Sequence, residues 1–541
     1  MPMTPNVSAT AWQAALSAFA GAVGTQWVYT SDEDVALYRD AYSPLWGEAE
    51  ERRAAAAVAP REVAEVQAIV RIANQYRIPL FPISTGRNLG YGGSAPNLSG
   101  SVIVDLKRMN RIIEVNDRRH FAIVEPGVSY FDLYRYIRER GLNVWVDVPD
   151  PGWGSVLGNA LDHGVGHTWL GYRDHFGSHC GLEVVLPNGE LLRTGMGAMP
   201  GAATFGDFRY GFGPHVDGLF AQAGFGIGTR MGIHLMPAPE AYLRRRVHVP
   251  RRQDLIPLVD VANQLEDAGL IGRPVYESPL FTAQFQDPAL RAIGLAADVW
   301  NGNAIDRYAA DKGLAPWTLG VTFYGPEPVI QASWQHARAK FEQAIPGARF
   351  EDVEALRFPL DAAAEEAVKH KVLVGIPNLN IFSLGARSAM NPEPTDGHLL
   401  FSPILERSGE AVLKAQQLFT EGMREMGLDF PMAYGPFTAP YTWIPRAFAL
   451  TTGFPVSRTD STLNRRSRDT MRKLIELGAR FGYGEYRTPP LFQDQVMGTY
   501  SFNDHMLRRF CETLKDAVDP NGVIAPGRGG FWPRALRGGA R

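Results

Sequence analysis

Four glycines, Gly86, Gly90, Gly92 and Gly93, fall within eight residues, directly after the extended run 78–83. Glycines at that density let backbone N–H groups converge on an anion such as a pyrophosphate, although a ligand-free turn reads the same way. The run lacks the Gly-Lys-Ser/Thr ending of a P-loop and the spacing of the dinucleotide fingerprint. Gly195-Met-Gly197 and Gly224-Phe-Gly-Ile-Gly228 miss that spacing too, so a Rossmann-type cofactor site is not expected. A second glycine-rich stretch, 149–166, carries small residues that would let a flat cofactor lie close to the backbone. His175 and His179 are four apart, with Cys180 adjacent, and could present two metal ligands on one helical face. No glutamate stands where a zinc hydrolase keeps its base and no third ligand is evident, so packing histidines and no metal are expected. His398, in the apolar run Gly397-His-Leu-Leu-Phe-Ser-Pro403, reads by itself as a core histidine. Tyr486 and Arg487 place a phenol beside a guanidinium, by themselves no more than an edge strand. No Gly-x-Ser-x-Gly elbow occurs, so a serine hydrolase is not supported.

The elements that would position these groups follow from periodicity. Trp12, Leu16, Phe19 and Val23 mark one face of a helix that stops near Gly24. Basic charge is absent before this stretch, so a surface helix is expected rather than a signal peptide or membrane span. Strands are expected at 56–59, 78–83, 101–106, 112–115 and 121–125, and helices over 63–76 and from Tyr130 to the stop at Gly141. Composition shifts after Pro237, where Tyr242–Arg252 carries five arginines between prolines; a solvated face or edge strand is expected there. Longer helical patterns follow at 255–265, 332–345, 411–426 and 467–481. The 541 residues suffice for two to four domains. A formal charge of −3 gives nucleic acid no electrostatic footing, and two cysteines cannot make a disulfide framework. A cytoplasmic α+β protein is expected, and the C-terminal Gly538–Arg541 carries no retention or lipidation signal.

Taken together the segments are more specific than any one. Ser84–Gly93, Trp145–Asp150, Gly154–Asn159, His398–Pro403, Gly484–Thr488 and Asn521–Gly527 occur in one order along nearly the whole chain. In this the sequence resembles the vanillyl-alcohol oxidase / para-cresol methylhydroxylase family of flavoproteins, most of all its bacterial 4-alkylphenol oxidases. The resemblance implies a two-domain FAD-binding fold. Residues 1–240 and the tail 483–541 would form the FAD-binding domain, and 241–482 an inserted cap of antiparallel sheet and helices.

It also implies roles. Ser84, Thr85, Gly86, Arg87, Asn88, Gly90 and Gly92 would hold the FAD pyrophosphate, with Pro149, Gly154, Ser155, Gly158, Asn159 and Ile227 as further cofactor contacts. His398 matches the histidine that carries the flavin covalently, and Arg528 falls near the flavin N1–C2 edge, where a cation stabilises the reduced ring. Tyr91, Tyr486 and Arg487 match the trio around the substrate phenol oxygen; such donors favour the phenolate, which releases hydride from its benzylic carbon most readily. Asp150 matches a carboxylate that serves as acid or base when water adds to the para-quinone methide. The implied activity is oxidation of a para-substituted phenol, such as a 4-alkylphenol, eugenol or vanillyl alcohol. Dioxygen would reoxidise the flavin to give hydrogen peroxide, in a homodimer or larger homo-oligomer. A dehydrogenase feeding a cytochrome is the alternative, and a non-catalytic electron-transfer subunit a third. The sequence departs from the family at three places. No histidine occurs in 41–50, His167 stands where relatives have a pocket tyrosine, and 431–443 differs from the usual run. With Leu400 and Tyr434, His167 is expected on the substrate pocket wall.

Overall fold

Three short apolar runs, Ala56–Val58, Val102–Asp105 and Leu80–Ile83, lie side by side in parallel, with Val28–Tyr29 antiparallel at the edge. Their side chains are almost wholly buried on both faces, as a covered parallel sheet requires. The computed structural model describes residue 4 and residues 7–222, 224–369, 371–379, 397–428 and 434–537. The expected features at Pro431–Ala433 and Gly538–Arg541 lie outside the described residues. Helix Val63–Tyr76 covers the parallel sheet with Val66, Ile69, Val70 and Ala73, the 3.6-residue stripe read from the sequence. Helix Ala9–Val23 packs onto the same core through Ala15, Phe19 and Val23 and stops at Gly24, whose φ of 91° suits glycine.

A second sheet is antiparallel throughout, in the order Ile112–Asn116, Phe121–Val124, Ile227–His234, His179–Val185, Leu191–Arg193. Helix Tyr130–Glu139 starts in a capping box, Ser129 with Asp132, and buries Tyr130, Leu133 and Ile137 against this sheet. The C-terminal tail returns to the parallel sheet: Leu80 N–H donates to Val523 O (2.7 Å) and Ala525 N–H to Leu80 O (2.8 Å). These two sheets, their covering helices and the returning tail form one α+β unit.

The third sheet is also antiparallel, in the order Val275–Glu277, Trp317–Gly325, Ala241–Val249, Arg349–Arg357. Its core continues through helices Leu255–Asp267, Glu327–Ala344, Gly409–Glu425 and Ser461–Phe481. The arginine-rich segment is therefore an interior strand, not the edge strand expected of it. The neighbouring strand supplies the countercharges: Arg245 meets Asp352 at 2.8 Å and Arg246 meets Glu351 at 3.1 Å. Acid placed a hundred residues away made the run look solvated in one dimension. A two-stranded ribbon, Gly397–Phe401 with Thr452–Val456, carries His398 to the seam between the cap and the parallel sheet.

Candidate active site

A cavity of about 470 Å³ lies where the glycine turn, the 149–166 segment, the His398 ribbon and the tail converge. That is within the range of small-molecule and cofactor sites. The turn after Leu80–Ile83 is held open by Gly86, Gly90 and Gly92 at φ of 67°, 79° and 107°. Ser84, Thr85, Gly86, Arg87 and Asn88 line the cavity; Gly90 and Gly92 back the turn instead, against His398 and Pro490. Opposite, Pro149, Asp150, Gly154, Ser155, Gly158 and Asn159 form the wall. A methyl group added at Gly158 would lie 2.1 Å from Ser84 Oγ, so the two segments meet only because Gly158 has no side chain. Ile227 does not reach the cavity; it is a buried strand residue, and its neighbours Gly226 and Gly228 form the wall. Small residues, backbone and the cation Arg528 thus frame a flat slot, and the residues present fit FAD.

His398 lines the slot, its ring 4.9 Å from that of Tyr42. Burial pushes its imidazole down to about 4, so it is neutral near pH 7. A neutral imidazole nitrogen is the form that can act as a nucleophile.

Tyr91, Tyr486 and Arg487 come together at the same cavity. The Arg487 guanidinium lies 4.0 Å from the Tyr91 ring centre and 5.9 Å from that of Tyr486. Burial, with Tyr486 nearby, raises the Tyr91 phenol well above its ordinary value, so it remains a hydroxyl donor. Arg487 Nη2 donates to Asp162 Oδ2 (2.8 Å) and Asn88 Oδ1 (2.8 Å), while Arg528 Nη2 donates to Asp162 Oδ1 (2.6 Å). Burial opposes ionisation of Asp162, but Arg487 and Arg528 outweigh it and hold the carboxyl below the usual range. The two guanidiniums share one carboxylate, which leaves a positive excess beside the tyrosine hydroxyls. Such a site stabilises an oxyanion.

Asp162 and Glu485 were not singled out from the sequence, although both sit inside the quoted motifs. Glu485 receives the Ser402 N–H at 2.9 Å and is fully enclosed; burial raises its carboxyl well above the ordinary value. Tyr441 and Trp443, from the 431–443 run, also line the cavity, as do Arg273 and Gln222, which carried no sequence signal. His167 and Leu400 are on the cavity wall. Tyr434 is not: its ring stacks 4.7 Å from Phe419 and its hydroxyl donates to Leu450 O (3.0 Å), inside the cap core. An aromatic residue next to Pro431–Ala433 reads equally well as wall or as core.

His175 and His179 do not share a helical face. His175 lies in a short helix and bonds Asn159 Oδ1 (2.5 Å), whereas His179 opens a strand and meets Asp217 Oδ2 at 2.9 Å. Among the described residues, His179, His215 and Asp217 are the group whose ligand atoms approach one another, within 4.8 Å.

Known proteins resemble this chain along nearly its whole length. A family model described as an FAD binding domain matches residues 54–195. The 4-cresol dehydrogenase [hydroxylating] flavoprotein subunit of Pseudomonas putida is 31% identical, over 96% of this chain and 95% of its own. The 1'-carboxy-chondrochloren decarboxylase of Chondromyces crocatus is 31% identical, over 96% and 98%. The solved 4-ethylphenol oxidase of Gulosibacter chungangensis, in complex with isoeugenol, superposes with a TM-score of 0.80 at 35% identity, covering 99% of this chain and 100% of that one. The protein is a flavin-dependent oxidoreductase whose cofactor is FAD. It belongs to the vanillyl-alcohol oxidase / para-cresol methylhydroxylase family.

Proposed function

We propose that this enzyme oxidises para-substituted phenols at the benzylic carbon, with dioxygen as the final acceptor. The observation that carries the reading is the convergence of Tyr91, Tyr486 and Arg487 on the cavity that His398 also lines. Two hydroxyls and a guanidinium there favour the phenolate over the phenol. The ring oxygen of a phenolate pushes electrons toward the para substituent, which makes the benzylic C–H bond a better hydride donor. FAD, when bound, supplies the two-electron acceptor for that hydride. Ser84–Asn88, Gly154, Ser155, Gly158 and Asn159 would hold it, His398 would anchor it covalently, and Arg528 would face the reduced ring as a fixed cation. Asp150, on the same wall, would take or give the proton when water adds to the quinone methide left on the substrate. Tyr91 keeps its proton and so donates to the phenolate without competing as an anion.

A second reading has its own support. The Pseudomonas putida relative is a dehydrogenase subunit, so electrons could pass to a protein acceptor instead of dioxygen. The holoenzyme under air with 4-ethylphenol decides between them. Peroxide formed in proportion to phenol consumed supports the oxidase. Turnover only when cytochrome c is added supports the dehydrogenase, and a protein inert toward 4-ethylphenol and eugenol refutes both.

A further inference from the structure

Four arginines line the cavity, and they are not equivalent; Arg87 is exposed. Arg487 and Arg528 share the Asp162 carboxylate. Arg273, 6% exposed, has no carboxylate within ion-pair distance among the described residues. Its neighbour Arg173, buried as deeply, is paired with Glu266. Burial and the nearby Arg173 charge lower the Arg273 guanidinium to about 10 against the opposing Asp147 carboxylate, so it still carries its charge at neutral pH. A buried unpaired cation is costly unless something else brings the negative charge.

The guanidinium is also held still. Arg273 N–H donates to Thr168 O (3.1 Å), Nε donates to Thr442 Oγ1 (3.1 Å), and Nη1 donates to His167 Nδ1. Nη2 makes none of the described hydrogen bonds. His167 accepts at Nδ1 from a permanent cation, which places its own proton on Nε2. Burial and Arg273 lower that imidazole to about 3, so it is neutral. Its Nε2–H has no described acceptor either. The wall therefore presents two donors, one of them cationic, that have no hydrogen-bond acceptor among the described residues. Arg273 and Arg487 line the same cavity but are held by different partners, Thr442 and His167 for the one and Asp162 and Asn88 for the other.

We propose that Arg273, with His167 beside it, is a specificity-determining residue that selects phenols whose para side chain ends in a carboxylate. The substrate class is then a 4-hydroxyphenyl alkanoate, anchored by Arg487 at the ring oxygen and by Arg273 at the acid. The inference rests on the phenol reading for its ring end alone. Nη2–H of Arg273, which makes none of the described hydrogen bonds, would take a carboxylate oxygen in a charge-assisted hydrogen bond, with the His167 ring fixing the guanidinium.

Two measurements on the FAD-loaded protein test it. The first is the ratio of kcat/KM for 3-(4-hydroxyphenyl)propanoate to that for 4-propylphenol, which has the same chain length and no charge. The acid should be preferred, and the ratio should fall by about 10- to 150-fold in Arg273→Met, the range of one charge-assisted hydrogen bond. Arg273→Lys should restore part of it. A wild-type preference for 4-propylphenol, or a ratio unchanged in both variants, overturns the inference. The second is calorimetric titration with 3-phenylpropanoate, which keeps the acid and lacks the phenol. It should bind wild type and lose affinity in Arg273→Met. If no phenol is oxidised, the phenol reading fails while this titration still decides the anion site. Absence of 3-phenylpropanoate binding to wild type refutes the site whatever the turnover.

Discussion

Replacing Arg487 by methionine removes the cation from the ring-oxygen end and keeps most of its stem. In the native site its guanidinium donates to Asp162 and Asn88, both at 2.8 Å, and lies over the Tyr91 ring at 4.0 Å. Asp162 retains Arg528 at 2.6 Å, so the substitution strands no carboxylate and the fold should survive. Loss of one preorganised group facing an oxyanion costs about 2.7–4 kcal/mol, or roughly 10²–10³ in kcat/KM. The lost stacking on Tyr91 removes about 0.5–2 kcal/mol more, chiefly from the packing of that ring. The pH dependence separates the phenolate argument from a general loss of shape. A free phenol ionises near about 10, so activity of the variant should climb as pH approaches that value, while the wild type gains little. The assay is initial oxygen uptake or acceptor reduction with 4-ethylphenol from about pH 6 to 10, at matched flavin content. Activity within about fivefold of wild type at neutral pH, or a loss that alkali does not relieve, would refute the reasoning.

Other substitutions probe separate parts of the account. Asp162→Asn should lower stability by about 3–5 kcal/mol, because it leaves two guanidiniums without their shared partner. The Asp162 carboxyl is held below its unfolded value, so its contribution is present above about pH 4 and is lost as pH falls through the folded value. Thermal melting from about pH 3 to 7 should therefore show a shallower acid slope in Asp162→Asn than in wild type; parallel slopes would contradict the pairing. Glu485, raised by burial, should behave oppositely: wild type loses stability as pH rises above about 4.5 toward the folded value, and Glu485→Gln should remove that slope. Gly90→Ala would place a methyl group 3.1 Å from His398 Nε2 at a φ of 79°. It should reduce covalent flavin, seen as in-gel fluorescence after denaturation, and undiminished fluorescence would argue against His398 as the anchor.

Much of the fold was legible because burial writes a periodic signal. The helices at Ala9–Val23 and Val63–Tyr76 show a 3.6-residue apolar stripe and clear stops, and the structure ends them at Gly24 and Arg77. The interior strand Ala241–Val249 was misread because its countercharges, Glu351 and Asp352, arrive by sheet pairing from Arg349–Arg357. At the site, the glycine turn, His398 and Tyr486–Arg487 were legible as motifs. Asp162 and Glu485 lie in those motifs yet look like spacers, since only the folded chain brings Asp162 between two arginines and encloses Glu485 beneath Ser402. Arg273 has no local signal at all. It sits between Gly272 and Pro274, and only packing brings it against His167, 106 residues earlier in the chain.

The central claim is that the flavin is reduced by a phenol bound as its anion. Mixing the FAD-loaded protein with 4-ethylphenol without oxygen, and in parallel with its methyl ether 4-ethylanisole, tests this in one absorbance trace. The account predicts rapid bleaching of the flavin by the phenol and none by the ether. Equal bleaching by both would contradict the phenolate mechanism, and bleaching by neither would contradict the assignment of phenols as substrates.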